Sequence, residues 1–541
     1  MTTALKYLKP TVAFEPLICR WHAWPFLVAP GSFSMVVKNR LLPLLESFVE
    51  DPDFHRDSAR DPALRGGSFV DYGGDMSLAQ ALLDELRNAV KPQLELADAL
   101  LAANDVLMRE GTGISLEPLY ARMPAKLHGL IELGYDLNNH ATVRLIEPLL
   151  YSSEFYDPRH QSVLLHTIGT EERPFVLVTP LIDTSVGVLL NAPFNDPIYD
   201  DLARMREHGL APAEFDRMCL RIGERGGDVS RLADLFTDSA PPSRHVPCAS
   251  DEVRVRYFGH ASLLIEGAGA TILTDPSLGY DTGGGIERFS FQDLPPIIDY
   301  VLITHNHQDH VIFESLLQLR HKVRHVVVPK CNGGTVQDPS LRLALEAIGF
   351  ESVIELDELQ VLKLAGGTIT GLPFLGEHCD LHIRSKLGYQ IELAGQRVMC
   401  LADSNNLDPA MYRRIGERIA SPHVIFIGME CTGGPMSWLY GDLLPRKLKR
   451  EHDQSRRLNS SDFERARRIV DQFDPRAVLV YAMGAEPWFT HISSIVYNER
   501  SAPIVESNKL IAHCQGKGML TERLYARREI VVRAGEVRTT G

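Results

Sequence analysis

The chain has 541 residues, more than one hydrophobic core normally supports, so two domains are expected. With 44% hydrophobic and 23% charged residues it has the make-up of a globular protein, and a net charge of −14 disfavours nucleic-acid binding through phosphate neutralisation. Its eight cysteines (19, 219, 248, 331, 379, 400, 431 and 514) show no paired or zinc-ribbon spacing, its first residues lack a basic region followed by an apolar stretch, and its most apolar window, 174–190, contains Pro180 and Asp183. Secretion and membrane spanning are therefore disfavoured and a cytoplasmic location is expected.

Residues 1 to about 240 mix helical patterns, at 77–110 with an interruption at Pro92 and at 197–208, with strand-like apolar runs at 26–28, 162–168 and 174–178. This predicts an α+β domain without a catalytic motif, in which Trp21-His22-Ala23-Trp24 is core packing. A proline-rich connector at 240–250 sets the boundary, giving domains 1–245 and 246–541. Strands are predicted at 254–265 and 270–275, the first interrupted by Gly259-His260-Ala261, where His260 reads as a turn residue near a pocket mouth, and the second ending at Asp275-Pro276.

The apolar run 300–303 then reads as a buried strand, and His305-Asn306-His307-Gln308-Asp309-His310 follows it directly. Ligands just beyond such a strand fall at the carboxyl edge of the sheet, where open α/β folds keep their chemistry. In this turn His305 and His307 can converge on one ion while Asp309 and His310 reach a neighbour, with metals roughly 3.5 to 4 Å apart.

This His-x-His-x-Asp-His run resembles the signature of the metallo-β-lactamase superfamily. The resemblance implies an α/β fold whose C-terminal part is an αββα sandwich with a dinuclear metal site, preceded by a separate α+β N-terminal domain. Asp275 matches the aspartate that braces the ligand loop, and Asp403, after the strand-like run 397–402, matches the metal-bridging aspartate. At the next ligand position Glu377 and His378 compete, and since neighbours in extended chain point opposite ways, only one can bind. After the run 476–481 no histidine appears until His491, and Glu430 and Glu486 are further donors near that edge. A set rich in carboxylates suits iron or manganese better than zinc.

Taken whole, from the opening run 5–21 to Glu377, the chain resembles the non-haem diiron β-hydroxylases of antibiotic biosynthesis that act on carrier-bound amino acids. The resemblance implies an O2-dependent monooxygenase that β-hydroxylates L-para-aminophenylalanine, tethered to the thiolation domain of a nonribosomal peptide synthetase in chloramphenicol biosynthesis. It implies two Fe ions, one held by His305, His307 and Glu377 and the other by Asp309 and His310, with Asp403 bridging and Glu377 and Asp403 as catalytic carboxylates. Glu430, Glu486 and His491 remain open for the second iron. No Rossmann glycine motif or iron–sulfur cysteine set is present, so an external electron donor, a separate reductase, is expected. The N-terminal domain is expected to form a homodimer and dock the carrier, and the basic stretch Arg446, Lys447, Lys449 and Arg450 with Arg456 and Arg457 is a second docking candidate. A capping box at Ser461-Asp462-Phe463-Glu464 predicts a helix to Phe473, stopped by Asp474-Pro475. The competing readings are a dinuclear zinc hydrolase, which would need His378 on the metal, and a carrier-binding scaffold with a vestigial site.

Overall fold

A computed structural model describes residues 4–249 and 251–540; Ser250, at the end of the predicted connector, lies outside the described residues, as do residues 1–3 and 541. The second half is a sandwich of two sheets. The first has eight strands in the order Val353–Leu356, Val323–Pro329, Ile298–Leu302, Ala270–Thr274, Ser262–Gly267, Val253–Gly259, Arg528–Arg533 and Glu536–Thr540. The second has seven, Val361–Leu364, Gly367–Leu372, Gly388–Leu393, Gln396–Cys400, Val424–Gly428, Ala477–Tyr481 and Leu520–Arg523. Alternate residues of facing strands interdigitate between the sheets: Val255, Tyr257, Leu263, Ile265 and Ile272 from one, Ile369, Tyr389, Ile391, Val398, Phe426 and Leu479 from the other.

Parallel pairing decides where the loops emerge. Thr274 pairs with Leu302, Cys400 with Phe426 and Gly428 with Tyr481, so the residues after each of these strands leave at the carboxyl edge of their sheet. The sheets are tied together at that edge, where Leu387 N–H donates to the carbonyl of Thr304 at 2.7 Å and the Tyr389 hydroxyl to that of Ile303 at 2.6 Å. Helices Pro409–Gly416, Phe463–Phe473 and Ala502–Gly516 cover the outer face of the second sheet.

The first half covers the other outer face. Its four-stranded sheet, Trp21–His22, Val12–Ile18, Gln161–Thr167 and Val188–Leu190, is packed with helices including Pro30–Val36, Met76–Ala89 and Lys91–Glu110. Helix Phe313–Leu319, which begins three residues after His310, is buried at every position between the first sheet and this half, against the strand Val12–Ile18 and the helix Ile198–Arg204. Buried cations fasten it: Arg173 reaches Glu314 with two nitrogens at 2.9 and 3.0 Å, and Arg206 donates to the Gln318 side chain and to the carbonyls of Lys9 and Pro10. One continuous hydrophobic core thus joins the two halves.

Several sequence expectations need correction. Residues 26–28 are helical, within Pro25–Val28, because Pro25 fixes a helical φ at the first turn and the run is too short to pair in a sheet. Residues 174–178 form no strand; Val176 N–H donates instead to the carbonyl of His491, fixing the segment beside the site edge. The helix predicted over 197–208 is shorter, Ile198–Arg204. The 77–110 pattern breaks at Val90, so that Pro92 falls in the first turn of the second helix, where its missing N–H costs nothing. Helix Phe463–Phe473 is capped by Asp462, whose carboxylate accepts from Arg465 N–H at 3.0 Å, while Ser461 accepts from Asn406 N–H. Among the described residues no helix is long and apolar enough to cross a membrane.

Candidate metal centre

The loop 305–310 is held from below by Asp275, which leaves its own strand in a left-handed conformation at φ 34°. Its Oδ1 accepts the Thr304 N–H at 2.7 Å, and its Oδ2 accepts the Thr304 hydroxyl at 2.6 Å and His310 Nδ1 at 2.8 Å. These bonds fix tautomers. His310 carries its proton on Nδ1 and presents Nε2. Because the Thr304 hydroxyl donates to Asp275, its oxygen accepts from His305 Nδ1 at 3.0 Å, which leaves His305 Nε2 free. His307 is turned the other way: its Nε2 meets the Tyr440 hydroxyl at 2.9 Å and its Nδ1 faces inward.

The free atoms converge. His305 Nε2 is 3.1 Å from His307 Nδ1, and Glu377 Oε1 is 3.4 Å from His307 Nδ1, giving one donor set of His305, His307 and Glu377. A second set joins His260, Asp309 and His310. Asp403 stands between them, its Oδ2 2.9 Å from His310 Nε2 and 3.8 Å from His305 Nε2, while its Oδ1 accepts from the Ser460 hydroxyl at 3.1 Å. Gly428 has to be glycine for this, since a Cβ there would stand 2.7 Å from Asp403 Oδ1.

The donors fit a pair of metal ions. Lone-pair nitrogens and carboxylate oxygens face one another at 2.9–3.8 Å inside a buried pocket, with few protons to share between them. Burial, with the neighbouring carboxylates of Asp403 and Asp309, holds the Glu377 carboxyl well above the usual range. Burial likewise pushes Asp309 up to about 6, against the pull of His310. Bound cations remove that penalty. Backbone strain collects at the same place, with Glu377, Cys379, Asp380, Ala402 and Ala482 all at positive φ, as functional sites often show.

All six residues expected at the site, His305, His307, Asp309, His310, Glu377 and Asp403, are brought together here. Of the competing neighbours it is Glu377 that joins the first set. His378 lies beside the His307 ring at 4.5 Å between centroids, and its Nδ1 is 3.2 Å from the carbonyl of Gly376. The three open candidates for the second ion fall outside the donor sets. Glu430 lines the cavity but accepts the Gly433 N–H at 2.5 Å, and burial pushes its carboxyl up to about 7. Glu486 receives the Tyr257 hydroxyl. His491 sits in a separate buried group, its Nε2 3.1 Å from Arg173 and its ring 6.3 Å from that of His22.

Sequence reasoning missed Tyr440 and underestimated His260, whose contact with the site depends on how two strands cross. The cavity over the donors, about 410 Å³, is walled by Trp438, Leu439, Leu458 and Met483, with Arg65 and Arg457 among its lining. It shares Gly66, Gln308 and Trp438 with a second recess of about 220 Å³ that reaches Trp24, Phe175 and Leu177 of the first half. A larger cavity, about 850 Å³, lies in the first half around Cys19, Glu85 and Asp157 and contains none of the donors.

Comparison with known proteins agrees with this geometry. Residues 7–241 match the family described as the diiron non-heme beta-hydroxylase N-terminal domain, and residues 254–420 a beta-lactamase superfamily domain. Over 530 residues, 97% of this chain and 99% of the other, the sequence is 38% identical to a 4-amino-L-phenylalanyl-[CmlP-peptidyl-carrier-protein] 3-hydroxylase of Streptomyces venezuelae. The fold is similar to the crystal structure of CmlA, a diiron beta-hydroxylase from Streptomyces venezuelae, with a TM-score of 0.91 at 38% identity over 98% of this chain and 100% of that one. Likeness to hydrolases is confined to shorter stretches, such as 59 residues, 11% of this chain and 25% of the other, at 41% identity to a UPF0173 metal-dependent hydrolase of Ligilactobacillus salivarius. With such identity sustained across nearly its whole length, and a pocket whose donors suit two cations, this chain belongs to the diiron non-haem β-hydroxylases, oxygen-dependent enzymes built on a metallo-β-lactamase fold.

Proposed function

We propose that this enzyme hydroxylates the β-carbon of L-para-aminophenylalanine while the amino acid is held as a thioester on the thiolation domain of a nonribosomal peptide synthetase, in the biosynthesis of chloramphenicol. The observation that carries the reading is the 38% identity over 97% of the chain to a hydroxylase named for that carrier-bound substrate. His305, His307 and Glu377 would hold one iron and Asp309 and His310 the other, with the Asp403 carboxylate available to both. When bound, the iron pair supplies activation of O2, of which one atom enters the C–H bond and the other leaves as water with two electrons and two protons from outside. A separate reductase supplies the electrons.

The chain's own residues position the reaction. Asp275, Thr304 and Tyr440 hold the imidazole protons on the outward nitrogens, so that each ring offers its other nitrogen inward. Trp438, Leu439 and Met483 give an aromatic side chain an apolar wall and exclude water. Glu377 follows Gly376 at φ 75° and itself adopts φ 62°, a hinge-like turn from which its carboxylate can shift when the carrier-bound substrate arrives. Replacing Glu377 with histidine is expected to retain metal while lowering hydroxylation at least about tenfold, roughly 1.4 kcal/mol in barrier. Iron analysis beside product formation on loaded carrier checks this, and wild-type turnover would refute the role of the carboxylate. Two zincs per chain in the native enzyme would overturn the oxygenase reading altogether.

The recess between the halves gives a long, flexible arm a way in. Gly66 accepts the Trp438 indole N–H at 3.0 Å, so the first half forms one wall of the entrance, and Arg457 is fixed at it by the carbonyls of Thr432 and Gly433. Nearby, Lys447, Lys449 and Arg450 have no carboxylate within ion-pair distance among the described residues, whereas Arg446 pairs with Asp105. Carrier domains are acidic, so these cations together with domain 1–245 form the docking side. Reversing the three charges to glutamate is expected to raise KM for the loaded carrier about tenfold with kcat unchanged, and to weaken the salt dependence of KM; an unaltered KM would exclude this surface. Domain 1–245 also makes the homodimer, and sedimentation of the full chain showing monomer alone would rule that out.

A further inference from the structure

We propose that Glu430 binds the α-ammonium group of the carrier-bound amino acid and thereby fixes which carbon of the substrate faces the metal centre. The assignment rests on the carrier-bound reading given above and adds a substrate-binding residue to it.

The charge of the substrate leads to the residue. Forming the thioester removes the carboxylate of an amino acid and leaves the α-ammonium, with an ordinary pKa of about 7.7–8.0, as the one charge of the aminoacyl group. Taking that cation into a cavity is costly unless a carboxylate meets it. Four carboxylates line the cavity over the donors, those of Asp309, Glu377, Asp403 and Glu430. The first three belong to the donor sets, where bound metal ions take up their charge. Glu430 belongs to none, and among the described residues no lysine, arginine or histidine lies within ion-pair distance of it. Arg457, whose charge it feels, is turned to the carbonyls of Thr432 and Gly433.

The backbone sets this carboxylate beside the metal edge. Glu430 stands two residues beyond the strand Val424–Gly428, whose neighbour in the sheet leads to Asp403. Ser460 ties the two together, since its hydroxyl donates to Asp403 Oδ1 at 3.1 Å and its N–H to the Glu430 carbonyl at 2.9 Å. The side chain is steadied by the N–H groups of Gly433, at 2.5 Å, and Thr432. A carboxylate has about four lone-pair sites, so two amides leave room for an ammonium. The turn requires glycine at position 433, where φ is 58° and a Cβ would stand 1.5 Å from the carbonyl oxygen of Leu458. The Glu377 carboxyl is raised first by burial, then by the charges of Asp403 and Asp309, and then by that of Glu430, which places Glu430 near the donors. Such proximity suits the α-nitrogen. It is bonded to the carbon next to the one oxidised, whereas the para-amino nitrogen lies at the far end of a ring that meets the apolar wall of Trp438, Leu439 and Met483.

The test measures binding of loaded carrier to the full-length, iron-loaded enzyme in its resting oxidised state. The carrier bears L-para-aminophenylalanine, L-phenylalanine or the des-amino acyl group para-aminophenylpropanoyl. The wild type is expected to bind the para-aminophenylalanyl carrier at least about tenfold more tightly than the des-amino one. Glu430→Gln is expected to keep two irons, to lose that factor on both carriers with an α-amino group, and to bind the des-amino carrier as the wild type does. Equal binding of the para-aminophenylalanyl and des-amino carriers by the wild type would overturn the proposal whatever the variant does, so the test does not depend on the variant folding. A variant with unchanged affinities, or one weakened equally toward all three carriers, would overturn it too. So would a loss confined to the carriers with a para-amino group, which would assign Glu430 to the ring amine, or a loss of iron, which would assign it to the metal centre. Failure of the wild type to hydroxylate any loaded carrier would remove the carrier-bound reading and the proposal with it, a result read from product rather than from binding.

Discussion

Replacing Asp403 with alanine is expected to leave no more than one tightly held iron per chain and to lower hydroxylation about 10³-fold or more, roughly 4 kcal/mol in barrier. Asp403 Oδ2 lies 2.9 Å from a nitrogen of one donor set and 3.8 Å from a nitrogen of the other. A bridging ligand sets the separation of two ions, and a two-metal reaction depends on that separation more steeply than on any single ligand. The loss should be confined to the site. Asp403 follows Ala402, whose N–H is bound by the Tyr481 hydroxyl at 2.9 Å, and Ser460 contacts only its carboxylate, so the strand and its loop keep their backbone contacts in the variant. Iron analysis, circular dichroism and turnover on loaded carrier measure the three parts of this expectation. Two retained irons with normal turnover would show that Asp403 does not bridge.

The second large effect is on stability. Glu314→Gln is expected to cost about 3–5 kcal/mol at neutral pH, because it leaves the Arg173 guanidinium buried and without its charge partner. Both side chains are nearly inaccessible, at 7% and 5% exposure, and Tyr280 donates to the same carboxylate at 2.7 Å. Burial works to raise the Glu314 carboxyl, but the charges of Arg173 and His491 outweigh it and bring it down to about 2. A carboxylate held below its unfolded value stabilises the fold above that value and loses its contribution as pH falls through the folded one. The gap between wild type and variant should therefore be constant above about pH 4.5 and close as pH falls toward about 2. Urea unfolding of both proteins across that range tests the sign, and a gap that widens on acidification would contradict it. Because the pair clamps the helix that begins three residues after His310, the variant should also hold iron less tightly.

The metal loop was legible from sequence for a local reason. His305, His307, Asp309 and His310 are delivered by one turn behind one buried strand, and parallel pairing of that strand with Ala270–Thr274 puts Asp275 beneath them. Runs of apolar residues placed the strand ending before Asp403 and the later strand Ala477–Tyr481 to within about one or two residues. Short apolar runs in the first half were misread, since 26–28 and 174–178 are apolar enough for strands but have no sheet neighbour to pair with. Pairing partners lie far along the chain, and periodicity does not reveal them.

By itself the sequence pointed to the two-sheet fold of the second half, to the family, and to the five donors His305, His307, Asp309, His310 and Asp403, which sit in recognisable strand-to-loop positions. Only the tertiary structure decided that Glu377 rather than His378 joins His305 and His307, that His491 belongs to the Arg173–Glu314 group, and that His260 reaches Asp309 and His310. It alone showed that the first half clamps the helix behind the metal loop. The physical reason is the same in each case. Donor type and spacing are local properties of the chain, whereas which way a side chain turns, and what it meets, depends on strands and helices brought together from hundreds of residues apart.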